Sequence, residues 1–115
     1  MKKNVHVGGS LEEAGQRFVE TWNKVKRGEK VQPRDNVTFL TWSALSAVMS
    51  DKRHELLSHL RKHPAPSIRA LARDLGRDYK RVYEDVAALE KVGLVEKTGS
   101  MIKADYDEIR TVIHV

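Results

Sequence analysis

The residues best equipped for chemistry fall within one short stretch, Lys80, Arg81, Tyr83 and Glu84. Arg and Lys can pair with O6 and N7 of guanine, and Glu can accept from N4 of cytosine. Each good contact of this kind adds roughly 1–3 kcal/mol of discrimination between bases. Glu84 also stands four residues after Lys80, so an ion pair along a helix is a second reading of it. Further along, Lys97, Ser100 and Lys103 offer donors around a short turn. Ahead of the stretch, Ser67 and Arg69 open a segment whose free N–H groups can hold a phosphate. Arg77 can hold another, or simply be a solvated arginine, and Tyr79 borders on the apolar face and can serve either as core or as contact.

Other chemistry is poorly served. With no cysteine, disulfides, thiolate metal sites and cysteine nucleophiles are excluded. His59 and His63 have a helical metal spacing, but Leu60, Arg61 and Lys62 between them supply no Glu, and the positive neighbours disfavour a cation. Gly8-Gly9-Ser10 could cradle an anion, but reads more simply as a turn with a helix cap. No GxSxG, P-loop or GxGxxG pattern occurs. The expectation is a chain that is not an enzyme and takes no metal or cofactor.

The elements that must position these residues follow from caps, breakers and periodicity. Val5 and Val7 alternate with polar neighbours over Lys3–Val7, a short strand stopped by Gly8-Gly9. Ser10 with Glu13 forms a capping box for a helix over Leu11–Val25, with a stripe of Leu11, Ala14, Phe18, Trp22 and Val25. Arg27–Asp35 reads as a loop. Asn36–Leu40 is a second strand and Trp42–Val48 a short helix capped by Thr41 or Ser43. Both tryptophans, Trp22 and Trp42, fit helix stripes and are expected in the core. Ser50 caps a helix over Asp51–Lys62, whose inward stripe is Leu56, Leu57 and Leu60. His63-Pro64-Ala65-Pro66 breaks the chain. Ser67 caps a helix over Ile68–Leu75, which Gly76 ends. Asp78 caps Tyr79–Val92, with Val82, Val86 and Leu89 inward and Gly93 as its stop. Leu94–Lys97 and Met101–Tyr106 make a hairpin around Thr98-Gly99-Ser100, and Ile109–Val115 reads as a last strand.

Two short helices joined by a Gly-containing turn and followed by a hairpin have the order of a winged helix–turn–helix. The expected class is therefore α+β, mainly helical, with an extra N-terminal strand–helix unit over residues 1–35. The winged domain and its C-terminal strand take residues 36–115. A length of 115 residues suits one domain. The net charge of +5 is a weak hint taken over the whole chain. Its distribution says more: residues 51–81 carry 9 basic against 4 acidic side chains, while residues 82–115 carry 4 against 7. The longest apolar runs are far below the roughly 18–20 residues that span a bilayer, and MKKNVHVGGS has no signal-peptide core. A cytoplasmic protein without a membrane partner is expected.

The residues Leu71-Ala72, Leu75-Gly76, Val82, Val86, Leu89-Glu90 and Gly93-Leu94-Val95 resemble bacterial winged helix–turn–helix regulators, the class that includes the multiple-antibiotic-resistance repressors. The run LEKVGLVEK is the closest part of the match, and Asp85 departs from it where many such proteins carry an apolar residue. With Phe39–Trp42 and the DKRHELLSHL helix, residues 36–115 also resemble small prokaryotic regulators similar to antitoxins encoded beside a toxin. The resemblance implies a repressor that binds double-stranded DNA, works as a homodimer, and has a cognate toxin as a further partner. Phe18, Trp22, Ile113 and Val115 are the candidate dimer or partner contacts, unless they complete the monomer's core. The rival reading is a winged protein-interaction module, for which the basic middle segment and the Lys80/Arg81 pair would have no use.

Overall fold

Ser50, Ser67 and Asp78 each stand one residue ahead of a helix, and each side chain accepts a hydrogen bond from the backbone N–H three positions on, at 3.2, 3.1 and 3.3 Å. Such caps stabilise a helix start by about 1 kcal/mol and explain why the helices begin where they do. The computed structural model describes residues 2–29 and 36–115. The described residues form five strands and five helices in the order β1 (Lys2–Gly8), α1 (Leu11–Lys26), β2 (Asn36–Phe39), α2 (Trp42–Val48), α3 (Asp51–Lys62), α4 (Ile68–Leu75), α5 (Tyr79–Lys91), β3 (Glu96–Thr98), β4 (Met101–Lys103) and β5 (Glu108–His114). The fold is a small α+β one. From residue 30 on, the loop expected over Arg27–Asp35 lies outside the described residues.

The chain divides into two compact units, residues 1–46 with 108–115, and residues 47–107. This division differs from the expected boundary at residue 35. Both β2 and β5, assigned from sequence to the second domain, pair with β1 instead.

In the first unit the sheet order is β2-β1-β5, and both neighbours run parallel to β1. Parallel neighbours cannot be joined by a tight turn, so α1 serves as the crossover from β1 to β2. Along β1 the side chains of Lys3, Val5 and Val7 are buried on one face, and Phe39 of β2 joins them by its register with Val7. The opposite face holds a polar cluster. His6 Nδ1 lies 2.9 Å from His114 Nε2, and His6 Nε2 lies 3.2 Å from Asn36 Oδ1. Burial holds the His6 imidazole below its usual pKa against the opposing pull of the Asn36 hydrogen bond, and the positive charge of Arg17 lowers it further.

Helix α1 corrects the sequence expectation. Its packed positions are Thr21, which is buried, with Ala14 and Arg17, which are half-buried. The stripe of Leu11, Phe18, Trp22 and Val25 is exposed, at 73, 58, 47 and 37%. Ala14, Arg17 and Thr21 lie about 80° around the helix from that stripe at 100° per residue, so the apolar side flanks the contact instead of making it. Trp42 is likewise exposed, so neither tryptophan is core.

In the second unit the stripes of α3 and α5 face inward as expected, whereas of Ile68, Leu71, Ala72 and Leu75, which the sequence places on one apolar face of α4, Ile68 and Leu75 are only half-buried. Leu56, Leu57 and Leu60 of α3, Leu71 and Ala72 of α4, and Val82, Val86 and Leu89 of α5 are all buried. Leu94, Val95, Ile102 and Ala104 extend this core to the hairpin. Strands β3 and β4 are antiparallel, with Thr98 opposite Met101 across a two-residue turn, Gly99-Ser100. Gly99 has φ +63°, which suits the first position of a type II′ turn. Ala65, held extended between two prolines, forms an isolated β-bridge to Ile102 through two hydrogen bonds of 2.8 Å, which ties this segment to the hairpin. Tyr106 donates to the Leu94 carbonyl at 2.8 Å, and burial pushes its phenol up to about 12.

Candidate nucleic-acid interface

Helix α5 is held from below by Val82, Val86 and Leu89, which are fully or almost fully buried. That leaves Lys80, Arg81, Tyr83, Glu84 and Ala87 exposed on its outer side. The side chain of Asp78 caps the helix, and the first turn carries no acidic residue. The Asp78 carboxylate offsets the partial positive charge of the helix start, so the positive charge of this face comes from Lys80 and Arg81.

Three separate segments meet around this helix. Ser67, Ile68 and Arg69 at the start of α4, Tyr79 and Tyr83 on α5, and Lys97, Gly99 and Ser100 at the hairpin tip line one open cleft of about 440 Å³. Six of these eight had been singled out from the sequence. Ile68 and Gly99 had not, although Ile68 is the first helical residue after the Ser67 cap and Gly99 forms the hairpin tip. Tyr79 is exposed, so it is not a core residue. Its ring lies 5.3 Å from the Arg69 guanidinium carbon and 6.2 Å from the Tyr83 ring. The pairing of Arg69 with Tyr79 is a cation–π contact, and it keeps the guanidinium over the cleft.

Among the described residues, Lys80, Arg81 and Lys97 have no ion-pair partner within 4 Å, and Glu84 makes none with Lys80. Lys103, by contrast, lies 3.8 Å from Glu96 and 4.0 Å from Asp105 and does not line the cleft.

Arg77 requires a correction. It was expected in the turn as a phosphate contact, but its Nη2 donates to Asp85 Oδ2 at 2.7 Å and its side chain is only 17% exposed. Arg53 of α3 donates from Nε to the other oxygen of Asp85 at 3.0 Å and from Nη1 to the Val48 carbonyl at 2.7 Å. Asp85, which departed from the apolar pattern, is thus the centre of a largely buried Arg53–Asp85–Arg77 clasp. It ties α3, the turn and α5 together. A polar residue on the inner side of α5, with arginines upstream, was the available signal.

The four candidate interface residues do not form one patch. Phe18 lines a cavity of about 190 Å³ with Asn36 and Thr38 of β2, whereas Ile113 belongs to β5, at the opposite edge of the sheet. All four, Phe18, Trp22, Ile113 and Val115, are exposed, so none completes the core of its unit.

No helix among the described residues is long and apolar enough to cross a membrane. Neither the curated proteins nor the solved structures include a match to this chain. The family model HVO_A0114 matches residues 48–111, which spans α3 to β4 and more than half of the sequence, and the chain belongs to the HVO_A0114 family.

Proposed function

We propose that the protein is a sequence-specific transcriptional regulator that binds double-stranded DNA through residues 67–103, arranged as a winged helix–turn–helix. The observation that carries this reading is the convergence of the α4 start, the α5 outer face and the β3–β4 tip on one open cleft bordered by unpaired basic side chains. In this reading α5 enters the major groove by its N-terminal half, where Lys80, Arg81, Tyr83 and Glu84 meet base edges. Ser67 and Arg69 hold a backbone phosphate at the start of α4, and Lys97 and Ser100 of the hairpin flank the duplex. A single module of this size makes few contacts, so tight binding calls for two copies on two half-sites, as expected of a repressor. The antitoxin reading rests on the sequence resemblance alone and is tested by whether a toxin gene adjoins this one.

The direct test is a gel shift with duplex fragments from upstream of the protein's own gene, titrated with salt. A retarded fragment that outcompetes random duplex, with affinity falling steeply as salt rises, is the expected result. Absence of salt-sensitive binding to every fragment would favour the rival reading, a winged module that docks on protein.

A further inference from the structure

We propose that β5 is an interface strand: two copies of the chain join β5 to β5, antiparallel about a two-fold axis normal to the sheet, making one six-stranded sheet. The order β2-β1-β5 leaves β5 at an edge among the described residues. Exposed edges are ordinarily blocked by shortness, charged side chains (lysine above all), proline or a bulge, because their bare N–H and C=O groups template further pairing. Strand β5 has no lysine, proline or bulge, and its two charged residues, Glu108 and Arg110, pair with each other at 3.1 Å. It is seven residues long, EIRTVIH, and pairs without interruption from Lys2↔Glu108 to Gly8↔His114. Val112 and Ile113 on it are exposed at 40 and 61%. The other edge, β2, is four residues, NVTF.

The occupant is a second copy because β5 is complementary to itself. In an antiparallel pair the residues directly opposite share a face, so a two-fold axis normal to the sheet pairs positions of like parity. With Thr111 on the axis all seven residues pair. Ile109 then faces Ile113, and Arg110 faces Val112. Glu108 faces His114. Glu108 Oε1 meets Arg110 at 3.1 Å and Lys2 at 3.6 Å, so its charge is already offset within its own chain. Moving the axis to Arg110 would set that side chain against its own copy, and like charges directly opposite are destabilising. Moving it to Val112 would set Arg110 against His114 and leave Glu108 with no opposite residue in the strand. One register is therefore favoured, and the contact closes on itself at two copies.

Because the chain has no cysteine, one introduced thiol reads the axis directly. Opposite Cβ atoms in such a pair lie about 4.5–5.5 Å apart, so Thr111→Cys should give a disulfide-linked dimer under mild oxidation. Thr38→Cys, exposed on β2, should stay monomeric under the same treatment. In sedimentation velocity the natural chain should run as a dimer. Ile113→Lys should run as a monomer with unchanged far-ultraviolet circular dichroism. A natural chain that is monomeric at every concentration, a dimer that survives Ile113→Lys, or cross-linking through Thr38→Cys in place of Thr111→Cys would each overturn the proposal. None of these measurements involves DNA, so their failure and the failure of the DNA-binding reading are separate outcomes.

Discussion

Helices α1 and α5 are both amphipathic, and they use their apolar stripes in opposite ways. On α5 the stripe of Val82, Val86 and Leu89 is sunk in the core, and the outer face is left to charge and aromatic rings. On α1 the stripe of Leu11, Phe18, Trp22 and Val25 is exposed, and the contact is made by a small residue and two polar ones. Periodicity says that a helix has two sides. Which side is covered depends on what the rest of the chain provides. Around α5 two helices, α3 and α4, and a hairpin supply apolar partners. Apart from Val112, the sheet face carrying His6, His114 and Asn36 offers α1 mostly polar groups, for which Arg17 and Thr21 are better matched than Phe18 or Trp22.

The comparison breaks most visibly on truncation. Leu89, with no exposed surface, should cost about 4 kcal/mol when changed to Ala, through lost transfer energy and the cavity left behind. Trp22→Ala, although it removes a larger side chain, should change the stability of the monomer by less than about 0.5 kcal/mol. Urea denaturation followed by circular dichroism measures both. Comparable losses at the two positions would mean that Trp22 is covered in solution and that the contrast between the helices is false.

The next largest effect concerns ion pairs. Asp85 sits between Arg53 and Arg77, with all three side chains at 20% exposure or less. Asp85→Ala leaves two largely buried guanidinium groups without their counter-charge and should destabilise by about 3 kcal/mol. In the other unit Arg27 meets Glu29 at 3.0 Å, but the two are 64 and 49% exposed. Arg27→Ala should therefore cost less than about 0.5 kcal/mol, because solvent screens the pair. Thermal melts of the two variants check the ranking, and a larger loss at Arg27 would reverse it.

Much of the second unit was legible because its signals are local. A cap, a four-residue stripe and a terminating glycine sit within a few positions of each other, so α3 and α4 begin and end where Ser50, Ser67, the prolines and Gly76 say they should. The clasp was not legible, because the partners of Asp85 lie 8 and 32 positions away and only packing brings them together. The same holds for the sheet of the first unit. Strands β1, β2 and β5 were each foreseen, but β1 meets β5 across more than a hundred residues, and no turn between them announces the pairing. For the candidate site, charge and spacing marked most of the cleft. They could not distinguish Arg77, spent on Asp85, from Arg81, which is unpaired.

That last distinction predicts a difference in binding. Under the DNA-binding reading, Arg81→Ala should weaken specific binding by about 1–3 kcal/mol and non-specific binding much less. Lys97→Ala, at the hairpin, should weaken both alike and lower the salt slope by about one. Fluorescence anisotropy against operator and random duplexes at several salt concentrations separates the two. Intact specificity in Arg81→Ala would remove Arg81 from the groove-facing set.

The smallest effect is a change of sign. Gly15 and Gly76 both have open space where a Cβ would be added, with no atom within 4 Å, so neither substitution to Ala creates a clash. What differs is the backbone. Gly15 lies inside α1, where a glycine loses more chain entropy on folding than an alanine does. Gly15→Ala should therefore stabilise by about 0.5–1 kcal/mol. Gly76 ends α4 with φ +65° and ψ +35°, where a Cβ crowds the following carbonyl, and Gly76→Ala should cost about 1–2 kcal/mol. For a domain of this size 1 kcal/mol moves the melting temperature by roughly 4 °C, so calorimetry should see the first variant melt higher and the second lower. The Gly76 result also bears on the site, since this turn sets how α5 leaves α4. If Gly76→Ala melted at the natural temperature, the left-handed turn would be less demanding than its geometry implies, and the angle between the two helices would need another cause.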